Sequence, residues 1–288
     1  MMRSVLIVVM LGLLAACSGV RLGYNSADKL LAYRLEDWFG LPEAMREPAR
    51  ERLRRVLAWH RSEELPRYAR LLAQAEQRLA ESAPLRAAEL LDLQQQVSER
   101  LLRLGDRVAD GFADILVQLG PAQRTRLLAR LEEDNEEFRE EYLEADPARI
   151  RQRRIDRLVD RYAFWLGPLA PSQRDRIEQW VDAGSSDAAS WLGRRQERQR
   201  VFVGIVDAAI RDRSAPQTAA RLRAFFAELD RPAATQVRTR HEDGMHARAQ
   251  LTADLFNLAT AAQRERARER LRALAADFLA LSKQRAAS

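Results

Sequence analysis

Between positions 90 and 119 the chain reads LLDLQQQVSERLLRLGDRVADGFADILVQL. One series of its large apolar residues, Leu90, Leu93, Val97, Leu101, Leu104, Val108, Phe112, Ile115 and Leu119, runs in steps of 3, 4, 4, 3, 4, 4, 3 and 4. That spacing traces one face of a long α-helix. The 3-4-4 unit repeats every 11 residues, about 3.67 residues per turn, so the helix is predicted to be nearly straight or slightly right-handed. Pro84 suits its first turn, and Gly120-Pro121 ends it and opens the next helix.

The same reading extends to both sides. Glycine (12) and proline (10) are sparse, and the prolines stand where helices start or bend. Further starts are predicted at Asp146-Pro147, Ala170-Pro171, Ser185-Ser186, Ala215-Pro216 and Thr260. Roughly ten helices and no strand follow, so the expected fold is all-α, an elongated or arched antiparallel helical bundle. Pro66 interrupts a helical stretch that runs from Pro42 to Glu81, and a kink is expected there. No connection is long or low in complexity. Residues 25–288 are therefore expected to form a single body, with a candidate seam at Asp146-Pro147 (146) or at Gly184-Ser185-Ser186 (184).

Charge is segregated on two successive helices. Nine acids lie between Glu132 and Asp146, and the next helix carries Arg149, Arg151, Arg153, Arg154, Arg157 and Arg161. The expectation is an antiparallel hairpin whose facing sides attract, since exposed pairs are worth about 0.2–1 kcal/mol each. A calcium loop needs ligands closely spaced around a glycine turn, and this run is helical with no glycine.

One motif recurs at helix starts. Leu119-Gly120-Pro121-Ala122-Gln123-Arg124 is matched by Leu169-Ala170-Pro171-Ser172-Gln173-Arg174 and by Ala259-Thr260-Ala261-Ala262-Gln263-Arg264. Leu41-Pro42-Glu43-Ala44-Met45-Arg46 is a degenerate fourth copy. Thr260 and Gln263 form a capping box, in which each side chain satisfies a backbone N–H that the helix leaves unpaired. In the copies at 119 and 169, proline at the first helical position does part of that job. The motif resembles the leucine-threonine-x-x-glutamine motif of the Spy/CpxP family of periplasmic chaperones, small all-helical proteins that cradle unfolded clients. The resemblance implies chaperone-like binding through these helix starts.

The N-terminus supplies an address. Arg3 precedes an apolar run, Ser4–Leu14, too short for the ~20 apolar residues that a spanning helix needs. Ala15 and Ala16 then lead into Cys17, the one cysteine of the chain. This pattern reads as a secretory signal, and it resembles the lipobox of bacterial lipoproteins. The resemblance implies a signal peptide over 1–16, cleavage between Ala16 and Cys17, and acylation of Cys17. More than one acyl chain is needed for stable anchoring, and the triacylated cysteine of this class meets that condition. Ser18, in place of the aspartate that retains such proteins at the inner membrane, implies the periplasmic face of the outer membrane. Helical patterning starts by Ala27, so residues 17–24 are expected to be a lipidated tether of at most ~28 Å. Val20-Arg21-Leu22-Gly23-Tyr24-Asn25-Ser26-Ala27-Asp28, with the later stretch from Trp59 to Tyr68, resembles a family of proteobacterial lipoproteins built on this anchor-plus-helices plan. That family carries no established activity.

Composition narrows the function. A net charge of +6 and a pI near 10.0 suit nucleic acid, but an exported chain never meets the cytoplasmic pool. Lys29 and Lys283 are the only lysines, leaving 46 arginines, a skew that fits a GC-rich genome. His60 and Glu64 stand one turn apart, but two ligands do not make a zinc site, which needs four, or three plus water. A hydrogen-bonded histidine beside the proline kink is expected instead. His241 continues an apolar stripe from Val237 toward Met245, and His246 faces elsewhere. No Gly-x-Ser-x-Gly elbow, Ser-x-x-Lys or phosphate-cradling loop is present. Neither catalysis, cofactor nor metal is expected. The expected role is a lipid-anchored envelope protein that binds proteins or peptides. The alternative is a structural lipoprotein docked to an outer-membrane assembly or the cell wall. If Cys17 is the anchor, Cys17→Ser will abolish incorporation of radiolabelled palmitate and lose the protein from the membrane fraction. Unchanged labelling would remove the assignment.

Overall fold

The computed structural model describes residues 19–143, 146–184, 188–230 and 234–284. Cys17 and Ala16, and with them the signal and its cleavage point, lie outside the described residues, as does the expected start at Ser185-Ser186. Among the described residues there are twelve α-helices and no strand. They are α1 (Gly19–Asn25), α2 (Ala27–Phe39), α3 (Glu43–Trp59), α4 (Leu65–Ala80), α5 (Ala87–Leu116) and α6 (Pro121–Tyr142). Then follow α7 (Pro147–Leu166), α8 (Pro171–Ala183), α9 (Ala188–Asp212), α10 (Ala215–Asp230), α11 (Thr235–Asn257) and α12 (Ala261–Lys283). The fold is an all-α helical bundle.

Pro66 is met by a change of helical winding, a π turn, rather than by a break. A proline N–H is missing, so a regular helix would leave the carbonyl four residues earlier without its bond. The chain answers with a π turn over His60–Glu64, in which the Leu65 N–H reaches the His60 carbonyl. Thus α3 and α4 form one continuous rod with a wider turn inside it.

Three hydrophobic cores hold the bundle. The first joins α2, α3, α5, α6, α9 and α10 around Leu116, Leu119, Leu127, Val206 and Leu222. The second joins α7, α8, α11 and α12 around Leu166, Ile177, Leu251, Leu255 and Ala267. The third clamps α1, α4 and the end of α12 through Val20, Tyr24, Leu65, Tyr68, Phe278 and Leu281. Each fully buried leucine contributes about 1.5–3 kcal/mol of transfer free energy. Two antiparallel pairs dominate the packing, α4 on α12 and α5 on α10. Glu76 meets Arg268 while Tyr68 meets Phe278, and Asp110 meets Arg223 while Ser98 meets Asp230.

Within α5 the large-residue stripe is half-buried along most of its length and fully buried only at Ile115 and Leu119. The deepest contact lies on the adjoining ridge of Gly105, Ala109 and Ala113. A Cβ at Gly105 would come within 2.9 Å of the Phe226 ring, so α10 approaches α5 more closely than a larger residue would allow. Small residues carry little hydropathic signal, which is why apolar periodicity marks the stripe but not this neighbouring ridge.

The acidic and basic helices depart from the expected hairpin. α6 packs on α2 and α9, and α7 packs on α8 and α12. Arg151 reaches Asp182 at 2.6 Å and Glu178 at 3.3 Å, both on α8. At the junction itself Glu141 receives Arg157, and its carbonyl receives Arg153. Charge complementarity between neighbours in sequence is weaker than apolar burial, so the cores decide the partners.

The helix-start motif is a clamp between turns. Gln123, Gln173 and Gln263 each fold back so that Oε1 accepts from the backbone N–H of Gly120, Ala170 and Thr260, at 3.0, 2.9 and 3.0 Å. Their amide groups then reach a second turn. Gln263 donates to the Pro168 carbonyl at 2.8 Å, and Gln173 donates to the Leu255 carbonyl at 3.1 Å. The two amides also exchange hydrogen bonds at 3.1 and 3.3 Å. Gln123 reaches the Gly40 carbonyl at 3.5 Å, in the degenerate copy's own turn. The four copies therefore meet in pairs, 41 with 119 and 169 with 259. Gln173 is fully buried, so Gln173→Ala orphans the Ala170 N–H and the Leu255 carbonyl, and is expected to cost about 2–3 kcal/mol. Gln123→Ala, more exposed, is expected to cost about 1 kcal/mol. Urea midpoints for the two variants check this ordering.

Candidate functional site

The stretch expected as a tether, 17–24, is helical from Gly19 and docked. Val20 and Tyr24, four residues apart on one face, are buried in the third core. Arg21 reaches Asp277 of α12 at 2.6 Å, and Arg61 reaches Asn25 at 3.1 Å while lying over the Tyr24 ring. Only one residue, Ser18, separates Cys17 from this docked helix in the sequence.

The Tyr24 hydroxyl lies 2.8 Å from His60 Nδ1 inside the π turn, where His60 is also flanked by Trp59 and Tyr68. Burial pushes His60 down to about 4 and Tyr24 up to about 12, so both are neutral at pH 7. Burial also raises Tyr68, with the Glu64 carboxylate adding to the effect. Glu64 turns away from His60 to Arg67, at 2.7 Å, and its second oxygen has no hydrogen-bond partner. His60 is thus hydrogen-bonded beside the proline, as expected, with Tyr24 rather than Glu64 as its partner.

Beside α1 a groove of about 850 Å³ runs along one face of α12. The wider turns of that face, Ala262, Arg266, Arg270, Ala273 and Asp277, recur at helical spacing. Val20 closes one end, and Phe164, Leu166 and Pro168 at the end of α7 form the facing wall. The volume falls within the range of ligand clefts, about 300–1,000 Å³. Arg270 lies 4.2 Å over the Phe164 ring, and Arg266 runs close over Gly167, which takes a positive φ of 79°. Among the described residues neither Arg266 nor Arg270 has a carboxylate partner, and Glu269 between them has no cation. Asp277 is buried, spends Oδ1 on Arg21 and leaves Oδ2 without a partner.

The motif residues lie elsewhere. Leu119 and Leu169 are core residues, and the three glutamines are consumed by the turns. Arg124 pairs with Asp207 at 3.1 Å, Arg174 is exposed and Arg264 is half-buried. The structure brings Leu169, Gln173, Thr260 and Gln263 together and holds Leu119 apart in the first core, with Gln123 and Arg124 half-buried after it. Of the motif, Ala262 and Gln263 touch the groove. Sequence reasoning missed Phe164, Arg266, Arg270 and Asp277, which carry no motif and are neighbours only because α7 meets α12. Among the described residues no three His, Cys, Asp or Glu side chains converge on a possible metal position, and no helix is long and apolar enough to cross a membrane.

Neutral burial of His60 predicts a pH dependence. The unfolded chain protonates near 6.5 and the folded one near 4, so the unfolded state binds more protons between these values. Stability is fully present above pH 6.5 and falls as pH drops toward 4, by on the order of 2–3 kcal/mol. The difference between wild-type and His60→Gln urea curves over that window measures it. Parallel curves would show that His60 does not titrate differently on folding.

Residues 37–230 match the model of a family of unknown function (DUF6279), which covers more than half of the 288 residues. The chain belongs to that family. No curated protein and no solved structure matches the chain. The matched segment contains the α7 wall of the groove and ends before α12.

Proposed function

We propose that this member of the DUF6279 family is a non-catalytic, lipid-anchored protein of the periplasmic face of the outer membrane, which holds protein or peptide segments in the α7–α12 groove with chaperone-like action. The groove is the observation that carries the reading. Its apolar wall of Val20, Phe164, Leu166 and Leu274 suits an apolar segment in extended form. Arg266 and Arg270, free of carboxylate partners among the described residues, suit acidic or carboxyl-terminal groups on that segment. The unused oxygen of Asp277 offers an acceptor for a ligand N–H, and a buried acceptor without a partner costs about 1–3 kcal/mol until one arrives.

The resemblance to Spy/CpxP chaperones rested on the glutamine starts, which serve the turns. The chaperone reading now rests on the groove instead. A structural lipoprotein would offer a flat permanent interface, whereas this feature is concave and open.

The protein is expected to suppress aggregation of a reduced, unfolding client at near-stoichiometric ratios without ATP. Ala273→Trp, which fills the groove from a half-buried position, should weaken suppression several-fold, and Arg270→Glu should weaken it most for acidic clients. Light scattering over several clients and salt concentrations reads the effect. No suppression by the wild type would leave the structural role, and full suppression by Ala273→Trp would move the binding site off the groove.

A further inference from the structure

We propose that the outward face of α1 and α2 is a docking surface for an anionic lipid bilayer, an inference that rests on the anchor reading of Cys17. The three most exposed large hydrophobic side chains among the described residues are Leu22 at 71%, Tyr33 at 67% and Leu30 at 57%, and the next are at 46%. All three lie on the first two helices after Ser18. They also share a face. The Ser26 N–H bonds to the Leu22 carbonyl at 3.1 Å and the Leu30 N–H to the Ser26 carbonyl at 3.1 Å, so helical spacing continues through the junction. Positions 22, 26 and 30 are thus one turn apart, with 33 three residues on.

The opposite face explains why these residues stay out in solvent. Val20, Tyr24 and Ala27 are buried, which fixes the rotation of both helices and leaves the outer ridge no route inward. Charge follows the same division. Glu36 pairs with Arg46, and Asp37 pairs with Arg126 and Arg130, whereas among the described residues exposed Lys29 and Arg34 have no carboxylate partner. Asp28, half-buried, is the one acid of these helices left without a cation among the described residues. A cavity of about 180 Å³ opens beside Tyr33, lined by Lys29, Arg46, Arg50 and Glu36, and is of a size for a phosphate group.

Position selects the occupant. Cys17 and Ser18 extend at most ~7 Å, so acyl chains on Cys17 bring the bilayer to the start of α1. A tyrosine ring rests at headgroup depth, leucines reach below it, and lysine and arginine meet the phosphates. A protein partner would need about 800 Å² from this side, more than a convex ridge of three side chains offers. The geometry therefore fits a lipid surface.

Because Cys17 is the only cysteine, a second one can be labelled alone once Cys17 is acylated. Full-length lipidated Leu30→Cys, Tyr33→Cys and, as a control, Val201→Cys would carry an environment-sensitive fluorophore in vesicles of phosphatidylethanolamine and phosphatidylglycerol containing brominated lipid. The proposal expects at least twofold quenching at 30 and 33 and none at 201, with less at both sites in phosphatidylcholine alone. Equal quenching at all three positions, or none at 30 and 33, would overturn it. The mass of the N-terminal peptide reads the anchor separately. An acylated Cys17 with unquenched 30 and 33 removes the docking surface alone, and an unmodified Cys17 removes both.

Discussion

The twelve α-helices among the described residues leave many chain ends, and each end carries backbone groups that no helix satisfies internally. Satisfying them is the constraint on which this structure depends. The glutamine three residues into a helix is the recurring answer. Its carbonyl oxygen takes the N-cap N–H and its amide group takes a carbonyl from another turn, so one side chain closes two ends at once. The reciprocal Gln173–Gln263 contact fixes the start of α8 on the start of α12, and with it the angle at which α12 crosses α7. Asn135 and Gln199, in mid-helix, form a second reciprocal amide pair at 2.9 and 3.0 Å between α6 and α9. A buried amide pair of this kind is directional, so it selects one register where apolar packing alone tolerates several.

The glutamine turns also bear on the groove. Pro168 lies in the turn held by Gln263, and both line the groove. The wall formed by Phe164 and Leu166 stands off α12 because the turn below it is pinned. The groove is thus bounded on this side by a turn that helix capping holds, next to Gly167, the cap of α7.

How much was legible follows from what each signal measures. The 3-4-4 stripe from Leu90 to Leu119 declares a helix because large apolar residues dominate hydropathy. The same bias hides the ridge at Gly105, Ala109 and Ala113, where the tightest contact lies. Prolines and glutamines mark helix starts because their effect is local, and the structure opens α6, α7 and α8 at Pro121, Pro147 and Pro171. The docked state of α1 was hidden because its partners lie 33 to 256 residues away in sequence. Arg151 was assigned to the wrong helix for a similar reason, since proximity in sequence says nothing about which helix a core brings alongside. Arg266, Arg270 and Asp277 read as one more charged helix face until α7 is placed opposite them.

What holds α1 in place can be decided by magnitude. Arg21 and Asp277 form a close ion pair, but Asp277 is buried, so the desolvation of its carboxylate offsets much of the attraction and the pair adds little net stability. Burying Val20 and Tyr24 is worth about 1.5–3 kcal/mol each. Apolar burial therefore docks the helix, and the ion pair sets its rotation. Salt screens the second contribution and leaves the first. The consequence reaches function, because Val20 is both a core residue and the end wall of the groove, while Leu22 two positions on faces outward. A seven-residue helix so constrained cannot present one face without the other. The rotation that completes the groove is the rotation that exposes Leu22, Leu30 and Tyr33, so the groove and the outward apolar ridge are two sides of one packing decision.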